Sequence, residues 1–275
     1  MMAPVDVPRL AGILREAAQR EIMPRFRRLD AGMVRQKSEA IDLVTEADDE
    51  AERFIRIEVA KLAPGTLFVG EESVAQHPRL LDALDHAELA VVVDPVDGTA
   101  NFAAGLPLFA VMASVVRNGE TIAGIIYDPM GDDFVMAEKG SGAFMRFPDG
   151  TADLRLAAAK ATELGQMVGT ASPFFLPLEA RARVLGNLAK VRMSASYRCA
   201  GHEYRMAAAG HLHFTMFNKL MPWDHLAGTL IVQEAGGYAA RLDGSPYLPM
   251  HRSGGLLLAS DRDSWNLLRR EVFTV

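Results

Sequence analysis

The order of predicted elements describes a mixed α/β protein, an α+β arrangement of two α/β units stacked side by side. Three observations lead there. Apolar residues recur at helical spacing near the start of the chain. A β-branched run and a hairpin signal mark buried strands in the first half. Strands and helices then alternate through the second half. With 275 residues, of which 49 % are apolar, the chain is long enough for one large core or two modest domains.

Leu10, Ile13, Leu14, Ala17, Ala18 and Ile22 predict a helix within residues 5–29. A second is predicted from Glu46 to Leu62, with Thr45 as its N-cap and Pro64-Gly65 ending it. Residues 66–70 and the run 89–93 read as strands. The apolar runs 109–116 and 121–127 flank Asn118-Gly119, a signal for a tight primed turn, so residues 107–128 form a predicted hairpin. Another strand is predicted over 133–138. The Gly- and Pro-bearing stretch 140–150 is the expected domain boundary, giving domains 1–147 and 148–275. Beyond it come a strand at 166–170, helices at 176–189 and 202–209, a strand at 211–217 and a helix at 225–235. Strands at 238–242 and 255–259 follow, and Ser260 is expected to cap a last helix reaching Val272.

Charged residues make up 23 % of the chain and the formal net charge is −6, which favours neither nucleic acid nor an anionic membrane. Arg181, Arg183, Lys190 and Arg192 are interleaved with apolar residues and read as the wet face of a helix. Cys199 is the single cysteine, so an internal disulfide is excluded. The first residues show no apolar signal region, and the longest mostly apolar run, 105–116, is too short to span a bilayer and contains Pro107. The expectation is a soluble, cytoplasmic protein with no membrane and no nucleic-acid partner.

The motif that carries chemistry is Asp94-Pro95-Val96-Asp97-Gly98-Thr99, at the end of a predicted buried strand. Pro95 removes a ladder donor and Gly98 permits a tight turn, bringing Asp94 and Asp97 together. A helix beginning near Thr99 would point free N–H groups at the same spot, an anion site. Two like charges ~4 Å apart repel by roughly 4 kcal/mol at an effective dielectric of about 20, so carboxylates and an anion converge only with cations between them. Hard oxygen donors suit Mg²⁺ rather than zinc, whose ligand spacing is absent. The plainer reading is a polar turn whose aspartates bond their own backbone.

Three further segments weigh against that plainer reading: Asp42-Leu43-Val44-Thr45-Glu46-Ala47-Asp48, Gly70-Glu71-Glu72-Ser73, and Pro222-Trp223-Asp224-His225-Leu226-Ala227-Gly228. Together with the central motif, in this order, they resemble the inositol monophosphatase family. The resemblance implies the five-layer αβαβα sandwich of the sugar phosphatases, most ligands coming from the first half and Asp224 from the second. Glu71, Asp94 and the carbonyl of Val96 would hold a first Mg²⁺. Asp94, Asp97 and Asp224 would hold a second, and a third, weaker ion would sit near Glu71, making two to three ions per subunit. Asp48 and Thr99, with Glu71, would serve catalysis by orienting and deprotonating the attacking water. The N–H groups of Gly98 and Thr99 would hold the phosphate. Asp97, Gly201, His202 and Glu203 would face the substrate, with Lys37 and Glu72 supporting the ligands from behind. The reaction implied is hydrolysis of a small phosphate ester by direct in-line attack of metal-activated water on phosphorus. A homodimer and inhibition by lithium are family traits. Asp48 also has a local reading, since Thr45-x-x-Asp48 is a variant capping box.

The substrate side departs from the family. Where the family carries a Gly-Ser-Ala-Ala-like segment, this chain reads Arg198-Cys199-Ala200-Gly201-His202-Glu203-Tyr204, and the glutamate that binds the inositol ring in the animal enzymes of the family falls near Phe217 or Asn218. Inositol phosphate therefore competes with histidinol phosphate, fructose 1,6-bisphosphate and 3′-phosphoadenosine 5′-phosphate as the ester hydrolysed. His211 and His213 read as strand residues, and His225 as locally bonded. The residues 216–221 read as core or a subunit contact. Two rivals stand beside this reading. A haloacid-dehalogenase-type phosphatase would use its first aspartate as a covalent nucleophile, but it has no place for Glu71-Glu72 or Trp223-Asp224. A regulatory protein associating with the transcription machinery would have no need of an intact acidic cage.

Overall fold

The structure is a computed structural model that describes residues 5–29, 34–36 and 43–275. Lys37 and Asp42 lie outside the described residues. Helix α1 (Val7–Ala17) is capped by the Asp6 carboxylate, which accepts from the Arg9 N–H, and it runs on through a π-helical turn to Ile22. A short ladder of β1 (Val34–Gln36) with β2 (Leu43–Thr45) leads into α2 (Glu46–Leu62). There follow β3 (Leu67–Gly70), α3 (Glu71–Gln76), α4 (Leu80–His86), β4 (Leu89–Asp97) and the short α5 (Thr99–Ala103). Next come β5 (Ala110–Arg117), β6 (Glu120–Asp128), β7 (Asp133–Glu138), β8 (Ala143–Arg146) and β9 (Leu154–Arg155). The second half contributes β10 (Val168–Ser172), α6 (Leu178–Asn187), β11 (Met193–Ala195), α7 (Ala200–Ala208) and β12 (Phe214–Phe217). It closes with α8 (Pro222–Glu234), β13 (Tyr238–Arg241), β14 (Leu256–Ala259) and α9 (Arg262–Glu271).

Among the described residues these strands form a seven-stranded sheet, β3-β4-β5-β6-β7-β8-β9, and a five-stranded sheet, β11-β10-β12-β14-β13. Five layers result. Leu10, Leu14, Ile55 and Val59 of α1 and α2 pack on Val91, Val93, Val111 and Ile125 of the first sheet. The opposite face of that sheet, with Val92, Met112 and Ile126, packs on Tyr204, Leu226 and Ile231 of α7 and α8. The same helices cover Phe217, Leu256 and Leu258 of the second sheet. On its far side Phe214, Met216 and Leu257 meet Val184 of α6 and Trp265 and Leu268 of α9. Because helices cover both faces of β4, its run is apolar throughout instead of alternating.

The hairpin forms as predicted, with both Asn118 (φ 50°) and Gly119 (φ 74°) in the left-handed region, the geometry of a type I′ turn. Thr45 caps α2, whose limits are the predicted ones, and Thr45 and Asp48 complete a reciprocal capping box. Three expectations need correction. Strand β4 does not stop before Asp94 but runs to Asp97 across a register shift, because a bulge absorbs the N–H that Pro95 lacks. The last helix is capped by Asp261, whose carboxylate accepts from the Ser264 N–H, and not by Ser260. The stretch 140–150 contains β8, and the chain passes from the first sheet to the second between Arg155 and Val168. Helices α3 and α4 left no clear trace in the sequence, being too short for a periodic pattern.

Helix α8, which carries Asp224, lies unusually close to its neighbours. A Cβ on Gly124 of β6 would stand 2.6 Å from the Ala227 carbonyl oxygen, and a Cβ on Gly228 would stand 2.0 Å from the Tyr204 ring. No helix of the described residues is long and apolar enough to cross a membrane. Gly228→Ala is expected to destabilise the protein by about 1–3 kcal/mol, the usual cost of overpacking. Urea unfolding of both proteins reads this directly, and equal midpoints would mean that α7 and α8 separate without cost.

Candidate active site

The site begins at the bulge in β4. Asp94 lies opposite Met112 on β5 and Asp97 opposite Ala110, so three steps along β4 match two along its partner. That extra residue re-aims both carboxylates toward the strand's end. Asp94 Oδ1 accepts from the Val96 N–H at 3.0 Å. Asp97 is held from the other half of the chain. Its Oδ1 accepts from the Ala200 N–H at 3.1 Å, and its Oδ2 accepts from the Gly201 N–H at 2.6 Å and the Cys199 thiol at 2.9 Å. The donors stand at the amino end of α7, where the helix dipole favours a negative charge. Gly98 follows at φ 86°, and a Cβ there would press on the Leu108 carbonyl and Cys199.

Asp224 arrives from the first turn of α8, and carboxylate oxygens of Asp94, Asp97 and Asp224 lie within 4.8 Å of one another. Glu71, first residue of α3, lines the same cavity. Burial raises the pKa of all three aspartates. The charges of Glu71 and Asp97 push Asp94 and Asp224 up further. Asp94 and Asp224 stand close enough that each disfavours a second negative charge on the other. For Asp97 the donors from α7 oppose the effect of burial. Carboxylates that cling to protons because their neighbours are negative are short of positive charge, and a divalent cation supplies it with better balance. The donors are all oxygen, the set that a hard cation takes.

The profile of the inositol monophosphatase family matches residues 9–270. The chain belongs to that family. It is 34 % identical to an inositol-1-monophosphatase of Rhizobium meliloti over 210 residues, 74 % of this chain and 73 % of the relative. It is 30 % identical to a fructose-1,6-bisphosphatase/inositol-1-monophosphatase of Thermotoga maritima over 218 residues, covering 77 % and 76 % of the two chains. The solved structure of a Thermotoga maritima IMPase matches with a TM-score of 0.79 at 27 % identity, covering 98 % of this chain and 95 % of that one. As a member of the inositol monophosphatase family, the protein is a phosphatase with the family's layered α+β fold.

Beside this acidic cluster stands Asp48. Its Oδ2 accepts from the N–H (2.8 Å) and hydroxyl (2.6 Å) of Thr45, while Oδ1 faces the Thr99 hydroxyl at 3.2 Å. Thr99 Oγ1 also lies 2.9 Å from the Val96 carbonyl. Thr99 lines the cavity and Asp48 sits fully buried behind it. Glu72 is buried beside Glu71, with its N–H given to Glu52.

The substrate-side expectations separate. The cavity holds about 460 Å³ and is lined by Glu203 but by neither Gly201 nor His202. Gly201 acts on Asp97, as above. His202 is tied by Nε2 to the Phe109 carbonyl at 3.1 Å, on the strand side of α7. The wall facing the acids comes instead from Ser172, Phe174, Phe175, Arg198, Phe217 and Lys219. Of these only Arg198 and Phe217 were named beforehand on the substrate side. The segment Pro173-Phe174-Phe175 leaves the carboxyl end of β10, a usual place for ligand contacts in α/β sheets, and that was the available signal. His225 is neutral, its pKa lowered to about 4 by burial. It bonds the Lys219 carbonyl (2.8 Å) and the Tyr204 hydroxyl (3.0 Å), as the local reading expected.

Glu203 is nearly inaccessible. Oε1 accepts from the Tyr197 N–H at 2.8 Å, and the buried Thr170 hydroxyl neighbours the carboxylate. Burial pushes its carboxyl up to about 7 from 4.5. Below pH 4.5 folded and unfolded chains are both protonated. Between 4.5 and 7 the folded chain binds more protons, so this group's contribution to stability falls as pH rises through that window and then levels off. The full change is about 3 kcal/mol. Glu203→Gln is expected to flatten it, raising stability relative to the parent at pH 8 and not at pH 4.5. Denaturant unfolding across that range checks this, and parallel profiles would remove Glu203 as the source.

Proposed function

We propose that this protein hydrolyses a small alcohol phosphate with Mg²⁺, two to three ions per subunit, held by Glu71, Asp94, Asp97, Asp224 and the carbonyl of Val96. The observation that carries the reading is the cluster of Asp94, Asp97 and Asp224 oxygens within 4.8 Å on one side of a cavity large enough for such an ester. When bound, magnesium neutralises phosphoryl charge, acidifies water and supports the leaving alkoxide.

The chain's own groups do the rest. The amides of Gly98 and Thr99 hold the phosphate at the start of α5. Thr99 has one hydroxyl hydrogen and two acceptors, Val96 O and Asp48 Oδ1. Donation to Asp48 leaves the Val96 carbonyl available as a ligand and turns a lone pair of Thr99 toward the cavity. That lone pair orients the attacking water, and a proton taken by Oγ1 passes on to Asp48 Oδ1. Thr45 fixes Asp48 for this role through Oδ2. Asp97 and Glu203 border the leaving alcohol. Lys37, outside the described residues, and Glu72 support the ligands. The family reading carries with it a cytoplasmic homodimer and inhibition by lithium at a magnesium position.

Inositol phosphate is one substrate, and fructose 1,6-bisphosphate, histidinol phosphate and 3′-phosphoadenosine 5′-phosphate are the alternatives. The half-exposed rings of Phe174 and Phe175 on this wall favour a ring-bearing alcohol as the second reading. Phosphate release from a panel of these esters, with and without Mg²⁺, tests both readings. Asp94→Asn is expected to cut kcat/KM on every ester by about three orders of magnitude, several kcal/mol of transition-state stabilisation. Undiminished turnover, or a phospho-enzyme trapped on Asp94, would refute the assignment. Thr99→Ala is expected to lower kcat about a hundredfold with KM little changed, the scale of one proton-transfer partner. A change confined to KM would make Thr99 a binding residue only.

A further inference from the structure

We propose that Glu52 is a positioning residue that caps, from a neighbouring helix, the helix beginning with Glu71, and so sets where the Glu71 carboxylate stands for a divalent cation. The inference rests on the reading of Glu71 as a cation ligand.

Helix α3 begins directly on Glu71, and its N-cap residue is Gly70, which has no side chain to offer. A short helix with an uncapped first turn frays, and its first residue moves with it. Glu52, on α2 and only 4 % exposed, supplies the missing acceptor. Its Oε2 accepts from the Glu72 N–H at 2.7 Å and its Oε1 from the Ser73 N–H at 2.8 Å and from the Ser73 hydroxyl. Glu72 and Ser73 are the second and third residues of α3, the two N–H groups that an N-cap side chain ordinarily serves.

Gly70 and Glu52 require each other. A Cβ on Gly70 would lie 2.2 Å from Cδ of Glu52 and 2.3 Å from Oε2. Gly70 has extended backbone angles (φ −108°, ψ 156°) that any residue adopts, so glycine is needed for space and not for conformation. The Glu52 carboxylate occupies the volume that an ordinary capping side chain would fill. Glu52 also stands one helical turn after Asp48 on α2, and Asp48 reaches Thr99. One face of a single helix therefore sets the Glu71 segment against the β4 turn.

The test uses the full chain and three variants: Glu52→Ala, Gly70→Ser, and both together. Mg²⁺ affinity by titration calorimetry and Mn²⁺ affinity by electron paramagnetic resonance are read beside thermal unfolding in chelator. Glu52→Ala is expected to weaken cation binding about tenfold, the scale of losing a partner that orients a metal ligand. KM for the ester at saturating Mg²⁺ should change little. Gly70→Ser alone should bind cation more weakly than the parent, through overlap with Glu52. The double variant clears that overlap and places a capping hydroxyl on α3 itself, so it should recover most of the affinity. A lowered unfolding temperature with parental cation affinity in Glu52→Ala would overturn the proposal, as would a double variant no better than Glu52→Ala. If Glu52→Ala does not fold, Glu52→Gln, which keeps the Ser73 acceptor and loses that of Glu72, must still show a weaker cation site. A parent protein that binds neither ion would sink the reading of Glu71 itself, an outcome visible before any variant is compared.

Discussion

Mutual repulsion among buried carboxylates is the constraint on which the rest of this structure depends. Asp94, Asp97 and Asp224 share a few ångströms, with Glu71 on the same cavity. Each such pair costs on the order of a few kcal/mol at the dielectric of a protein site. Nearby donors offset this only in part, so the fold must also hold the groups in place mechanically. It does so with a bulge that re-aims β4, with the amino end of α7 clasping Asp97, and with α8 pressed against β6 and Tyr204 by two glycines. The field that raises the aspartate pKa values also attracts positive charge.

The cavity is chemically divided. Its acidic end is built from β4, α3 and α8, and its opposite end from the loop after β10 and the turn between β12 and α8. The two ends come from the two sheets, and the central helices α7 and α8 fix their separation. On the proposed function, phosphoryl chemistry belongs to the first end and the choice of alcohol to the second. Phe174, Phe175 and Phe217 line that opposite end.

Much of the fold was legible in local signals. Thr45 and Asp48 announce the start of α2 because a capping box is a four-residue affair. Asn118-Gly119 announces the hairpin because few residues tolerate two positive φ values in a row. Helix α3 was illegible because its cap comes from Glu52, twenty residues away, and not from the residue before it. The bulge at Pro95 was misjudged because missing one ladder bond ends a strand only when the partner strand cannot accommodate the shift.

At the site, the acidic motifs could be picked out one by one, since carboxylates clustered next to a Gly turn are unusual in short sequence. Where each substrate-side residue points could not be foreseen. Neighbours Gly201, His202 and Glu203 diverge around one helical turn, toward Asp97, the Phe109 carbonyl and the cavity. The sequence by itself determined the elements, their caps and turns, and the supply of acidic oxygen donors, because these depend on residues a few positions apart. Only the tertiary structure decided that Asp94 and Asp224, from distant parts of the chain, meet within a few ångströms, and that aromatic residues line the same cavity. Long-range packing sets those distances, and electrostatic energy depends on distance in space, not along the chain.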